Sequence, residues 1–105
     1  MKSCYLAIVV ALCSTQLGIG SDFKLPATDE NVPGQGTLRR HGWFQNLWEK
    51  RRSAWAKQVQ QDQGALVFLG DSITQGWGGN LSKSFPEVKV ANRGISGDTT
   101  RGVLL

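Results

Sequence analysis

Residues 65–74 have the sequence ALVFLGDSIT, and this stretch decides the fold class. Its apolar part, 65–69, is continuous and is bounded by Gly64 and Gly70, which is typical of a buried parallel strand. Ser72 follows in a tight turn that leads into a helical stretch. A strand that presents a polar side chain at its carboxyl end predicts an open α/β sheet with a functional edge at that end.

The elements on either side complete an α/β order. From about residue 42 to 61, apolar side chains recur every three or four residues, which predicts an amphipathic helix. A short helical stretch over 71–77 and a loop lead to a second strand over 88–91, and a last helix begins with Thr99 or Asp98 as its cap. This order predicts a parallel sheet with a right-handed crossover.

The first twenty residues have the features of a secretory signal peptide. Lys2 supplies a positive charge, an apolar run covers 4–12, and the small residues Gly18 and Gly20 favour cleavage after residue 20. The run is shorter than the ~20 apolar residues of a membrane span, so no stable span is expected after removal of the signal. The sequence therefore predicts a secreted or periplasmic protein.

Composition and charge exclude several kinds of site. Both cysteines, Cys4 and Cys13, lie in the predicted signal, so the mature chain is expected to have no disulfide and no thiolate metal site. One histidine and scattered carboxylates predict no metal site of another kind. The net charge is +4, with basic residues concentrated in 39–57, and we interpret them as a solvated helix face. No nucleic-acid partner is expected.

The turn after the first strand carries the strongest chemical signal. Ser72 is expected to be exposed at a helix start, near amides that favour developing negative charge. Gly70 lets the backbone turn tightly, and the Asp71 carboxylate is expected to bind amides of the turn. The spacing differs from the G-x-S-x-G elbow of other esterases, because Thr74 stands where the second glycine would lie.

A second loop, which contains Asn92, Gly97 and Asp98, follows the second predicted strand. Neighbouring parallel strands deliver their carboxyl-end loops to the same edge of the sheet, so the Gly97 amide is expected near the Ser72 hydroxyl. Two amides that converge on one point can stabilise an oxyanion. We expect Asn92 and Asp98 to support this loop, and Gly97 also fits a plain turn glycine.

Residues 65–78 and 90–104 resemble the first two sequence blocks of the SGNH hydrolases, also called GDSL esterases. The resemblance covers about residues 43–105 and is strongest toward acetylhydrolases of platelet-activating-factor type, lysophospholipase/thioesterases and carbohydrate acetylesterases. It implies a three-layer flavodoxin-like fold, Ser72 as nucleophile, and the Ser72 and Gly97 amides as oxyanion donors. It also implies no cofactor, and a carbohydrate or lipid ester with a short acyl group as substrate.

The resemblance also implies residues that this sequence lacks. The family's third oxyanion donor lies in a Gly-x-Asn-Asp motif and its base in an Asp-x-x-His motif, and neither motif occurs here. The one histidine, His41, is expected to be a surface or helix-start residue and not the base. A helix of ~18 residues spans about 27 Å and a strand of ~6 residues about 20 Å, so His41 would lie beyond the end of the strand and away from the crevice. We therefore expect residues 39–105 to be the N-terminal, incomplete part of an SGNH hydrolase domain, inactive alone. A linker or lead-in segment over 21–38 would precede it.

Two other interpretations remain open at this point. The chain could be a non-catalytic, truncated remnant of such an enzyme. A strand, a Gly/Ser/Thr turn and a helix can also bind phosphate, as in flavodoxins. No lysine stands in this turn, however, as a Walker A loop would require.

Overall fold

The computed structural model describes residues 22–105, and the predicted signal peptide lies outside the described residues. No helix in this part of the chain is long and apolar enough to cross a membrane. The described elements are, in chain order, α1 (Gly42–Gln58), β1 (Leu66–Gly70), α2 (Ser72–Trp77), α3 (Asn80–Ser84), β2 (Val90–Gly94) and α4 (Thr100–Val103).

The two strands form a parallel sheet. Leu66 lies opposite Val90, and Gly70 lies opposite Gly94 at the carboxyl ends. This pairing confirms the predicted α/β class and the parallel sheet. Both strands lie later in the chain than predicted. β1 covers 66–70 instead of 65–69, and β2 covers 90–94 instead of 88–91, because it extends through a polar stretch to Gly94.

Helical elements flank the sheet on both faces. Phe68 of β1 packs against Trp77, the last residue of α2, and against Phe85, the residue after α3. Their ring centroids lie 6.2 and 5.3 Å from that of Phe68, so the ends of α2 and α3 cover this face. Successive side chains of a strand point to opposite faces. Leu69 accordingly lines a cavity on the other face, together with Trp55 of α1.

The first strand is more exposed than its continuous apolar run predicted. Leu66, Val67 and Leu69 are 50%, 49% and 64% exposed. The cause is the pairing, because within residues 22–105 β1 has β2 on one edge and no strand on the other. Helix α1 also leaves open space above the sheet on its side.

The main core lies between α1, the lead-in segment and the loop after β2. Phe44 and Trp48 of α1 are fully buried, and Ile95 packs with them. Leu25 and Leu38, which flank a largely polar stretch, complete this cluster. The lead-in segment therefore contributes two core side chains and is held against the domain.

The basic stretch of α1 differs from the solvated face that the sequence predicted. Arg52 lies over the rings of Trp48 and Phe23, 4.9 and 5.2 Å from their centroids, and Arg51 lies over Trp55. Both guanidiniums are partly buried, and burial lowers the pKa of each. Their stems and planar head groups cover aromatic surface that would otherwise face water.

Arg101 joins α4 to the lead-in segment. Its buried guanidinium donates to the Asp29 carboxylate at 2.6 Å and to the carbonyl oxygen of Gly36 at 3.0 Å. Arg40 donates to the other Asp29 oxygen. The hydrogen bonds from Arg40 and Arg101 hold the pKa of Asp29 below its usual value, so this carboxylate stays ionised at neutral pH.

Replacement of this arginine is expected to weaken the fold. Arg101→Met removes charge-assisted hydrogen bonds to Asp29 and to backbone carbonyls, and we expect the free energy of unfolding to fall by about 2 kcal/mol. Lys83→Met, at an exposed site on α3, is the matched control and should change it by less than about 0.5 kcal/mol. Urea denaturation measures both. Equal midpoints for the two variants would contradict the role of Arg101.

Candidate functional site

Ser72 lies where β1 gives way to α2. It is the first residue of α2, two positions after the last residue of β1, and it is exposed. Asp71 is the N-cap, and its carboxylate accepts a hydrogen bond from the Ile73 amide at 3.0 Å. This contact satisfies one of the amides that a helix start leaves without a partner, and it fixes the turn that presents the serine.

The ends of both strands lie close to α2 and the turn before it. A Cβ atom at Gly94 would lie 2.2 Å from the Gln75 amide nitrogen and 2.8 Å from the Asp71 carbonyl oxygen. A Cβ atom at Gly70 would lie 2.1 Å from the Thr74 hydroxyl oxygen. Glycine is therefore required at both strand ends for α2 to pack this closely.

Asn92 joins the second strand to α2. Its amide nitrogen donates to the Thr74 carbonyl oxygen at 2.5 Å, and its amide oxygen accepts from the Gly94 backbone nitrogen at 2.9 Å. One further side chain of α2 holds the loop after β2, because the Gln75 side-chain oxygen accepts from the Ser96 amide at 2.7 Å. The loop that contains Gly97 is thus fixed to the helix that begins with Ser72.

Gly97 occupies a conformation that favours glycine. Its φ is +82°, and a Cβ atom there would lie 2.8 Å from the Trp43 ring and 3.4 Å from the Phe44 ring. The residue therefore sits against the first turn of α1. Convergence of the Gly97 and Ser72 amides on one point stays a prediction.

Asp98 is partly buried beside the same loop. Burial raises the pKa of its carboxyl group, and a hydrogen bond from the Thr99 amide together with the charge of Arg52 partly opposes this effect. Thr99, one of the two predicted caps, is the N-cap of α4 and accepts from the Gly102 amide at 3.2 Å. A Cβ atom at Gly102 would overlap the Asp98 carboxylate, so this glycine makes room for it.

His41 lies at the N-cap position of α1 and is exposed, with no side-chain capping hydrogen bond. Its location agrees with the helix-start position that its sequence context predicted. Among residues 22–105, no group of three or more histidine, cysteine or carboxylate side chains is arranged to hold a metal ion.

No family model, curated protein or solved structure matches this chain. The turn at Ser72 and the loop after β2 are therefore the features from which a function can be inferred. These two segments are the carboxyl-end loops of neighbouring parallel strands, and Asn92 and Gln75 hold them together. The arrangement presents the exposed Ser72 hydroxyl beside a backbone that is held by hydrogen bonds.

Two positioning residues, Gln75 and Gly94, had no assigned role from the sequence. Gln75 lies one turn after Ser72, and its polar side chain next to a candidate nucleophile was the available signal. Gly94 fits a simple turn glycine by sequence, yet it ends β2 and contacts α2. Gly70 directly follows the first predicted strand, whereas Gly94 lies three residues beyond the predicted end of the second, so its role depends on where β2 ends.

The close contact at the end of β2 can be tested with two glycine variants. Gly94→Ala places a methyl group against backbone atoms of α2, so we expect a loss of about 3 kcal/mol of unfolding free energy. Gly76→Ala, inside α2 with open space at its Cβ position, should be neutral or stabilise by up to about 1 kcal/mol. Thermal and urea denaturation compare the two. A Gly94→Ala variant as stable as Gly76→Ala would contradict the contact.

Asp98 predicts a specific dependence of stability on pH. Because its pKa is raised in the folded state, its contribution is fully present below the ordinary value of 3.8 and is lost as pH rises through the folded pKa. Asp98→Asn removes this titration and can keep the acceptor for the Thr99 amide. The unfolding free energy of the wild type, relative to Asp98→Asn, should therefore decrease between pH 3 and pH 7. A difference that is constant or rises with pH would refute the assigned direction.

Proposed function

We propose that this chain carries the nucleophile of a serine ester hydrolase of the SGNH/GDSL type, with Ser72 as the nucleophile. The observation that supports it best is the exposed Ser72 at the junction of β1 and α2, in a turn fixed by the Asp71 carboxylate. The resemblance of residues 65–78 and 90–104 to the first two blocks of that family supports the same assignment.

In this proposal Ser72 Oγ attacks the carbonyl carbon of an ester while its proton passes to a base. The oxyanion that forms accepts hydrogen bonds from the Ser72 and Gly97 amides. Collapse of this intermediate breaks the bond to the leaving oxygen, which takes up a proton and departs as an alcohol. Water then cleaves the acyl-serine and releases a carboxylic acid.

The base is the part of this chemistry for which residues 22–105 offer no candidate. A serine hydroxyl is a weak nucleophile until a base takes its proton. The histidine of this sequence, His41, lies at the start of α1 and is assigned no catalytic role. The chain alone is therefore expected to acylate slowly and to have no efficient turnover.

The proposed substrate is a carbohydrate or lipid ester with a short acyl group, met outside the cytoplasm by an exported protein. Sequence resemblance and the predicted signal peptide support this choice. The mechanism needs no cofactor, because the serine forms the covalent intermediate itself.

Mapping of acetylation by p-nitrophenyl acetate tests the proposal on the chain as it stands. Preorganised amides retain part of their effect when other catalytic groups are absent, so Ser72 should be acetylated at least about tenfold faster than Ser82, an exposed serine on α3. Peptide mass spectrometry over time gives both rates in one sample. Steady release of p-nitrophenol should not exceed that of Ser72→Ala.

The acetylation rates and the steady turnover test different parts of this proposal. Equal acetylation rates at Ser72 and Ser82 would refute Ser72 as a prepared nucleophile. Steady turnover above the Ser72→Ala control would refute the absence of a base in this chain. Selective acetylation of Ser72 without turnover is the expected combination.

A further inference from the structure

A cavity of about 310 Å³ lies between α1 and the face of the sheet opposite α2. Its walls are mainly apolar, and they include Trp55 of α1, Leu69 of β1, Ile95 and Val103. This volume is at the lower end of the range for small-molecule sites, and apolar walls with a few polar groups are their usual lining. Ser72 does not line this cavity, so a ligand bound there is independent of the proposed function.

Charged side chains of one predominant sign face this cavity. Arg52 and Arg93 line it with one carboxyl group, Asp98, whose pKa is raised by burial. Arg93 also forms an ion pair with Asp62, and Arg52 has the charge of Asp98 opposite it. Asp98 thus offsets part of the positive charge that the two guanidiniums bring to this cavity.

A third guanidinium adds to the positive charge. Arg51 and Arg93 both lie 5.1 Å from the centre of the Trp55 ring, and the charge of Arg93 contributes to lowering the pKa of Arg51. The Arg51 Nε atom is buried and has no hydrogen-bond partner among the described residues. Among these five side chains, the three guanidiniums exceed the carboxylates of Asp62 and Asp98 by one charge.

We propose that this cavity binds a small amphiphilic monoanion of the medium-chain carboxylate class. The apolar chain would contact Trp55, Leu69 and Val103, and the carboxylate would meet the guanidiniums of Arg52 and Arg93. The volume of the cavity suits a medium-length alkyl chain, and the excess of one positive charge among the neighbouring side chains favours a ligand with one negative charge. Hydrogen bonds from guanidinium to carboxylate are charge-assisted and are among the stronger ones in proteins.

Titration of the full chain, labelled with ¹⁵N, with octanoate tests this site directly. The indole N–H resonance of Trp55 should move in a saturable way, because its ring forms one wall of the cavity. Octanoate should bind about tenfold more tightly than octanol, since only the carboxylate gains charged hydrogen bonds. Octylammonium should bind more weakly than octanol. Equal affinities for the three probes would refute the assignment of an anionic ligand.

Two variants of the charged groups and one of the cavity separate this site from general apolar binding. Arg52→Gln should weaken octanoate binding by about tenfold and leave octanol binding unchanged. Asp98→Asn should strengthen octanoate binding, because it removes the opposing carboxylate. Ala56→Phe, which fills the cavity, should abolish the Trp55 shift with every probe. If Arg52→Gln does not fold, Asp98→Asn decides. An unchanged octanoate affinity in Asp98→Asn would overturn the proposal.

Discussion

The contact between Gly94 and the backbone of α2 is the constraint on which the site depends. At this point the end of β2 touches the turn after Asp71 and the amide of Gln75, with no side chain between them. The turn that carries Ser72 and the loop that carries Gly97 are therefore held close to each other by this contact. Asn92 and Gln75 add hydrogen bonds across the same junction, so the backbone contact and the side-chain bonds act together.

The fold class could be predicted from sequence because its signals are local. A continuous apolar run between glycines indicates β1, and the serine turn after it indicates α2. The extent of β2 could not be predicted, because its last three residues, Asn92 to Gly94, are polar or glycine and join the strand only through pairing with β1. Helix α3 was also missed, since its five residues are too few for a periodic pattern.

Packing at long range explains the remaining differences. Leu25 and Leu38 are isolated apolar residues in a polar stretch, and nothing in their neighbourhood indicates that they enter the core. The basic stretch of α1 gives the opposite case, because charge alone predicts exposure, whereas Arg51 and Arg52 cover aromatic rings. Trp55 and Trp48 lie four residues away on the same helix, but Phe23, under Arg52, lies 29 positions away in the sequence. In the candidate site, Asp71 could be given its role in advance because an N-cap bonds within its own turn. Gln75 could not, because its partner lies 21 residues away.

The ion pair between Asp29 and Arg101 also bears on how the chain reaches its native state. These residues are separated by 72 positions, so their contact closes a loop that includes nearly every described element. Closure of such a loop costs conformational entropy, and local helix formation does not offset this cost. Contacts between residues far apart in the sequence also slow folding. The lead-in segment and α4 are thus expected to become ordered late and together, after the elements between them have formed.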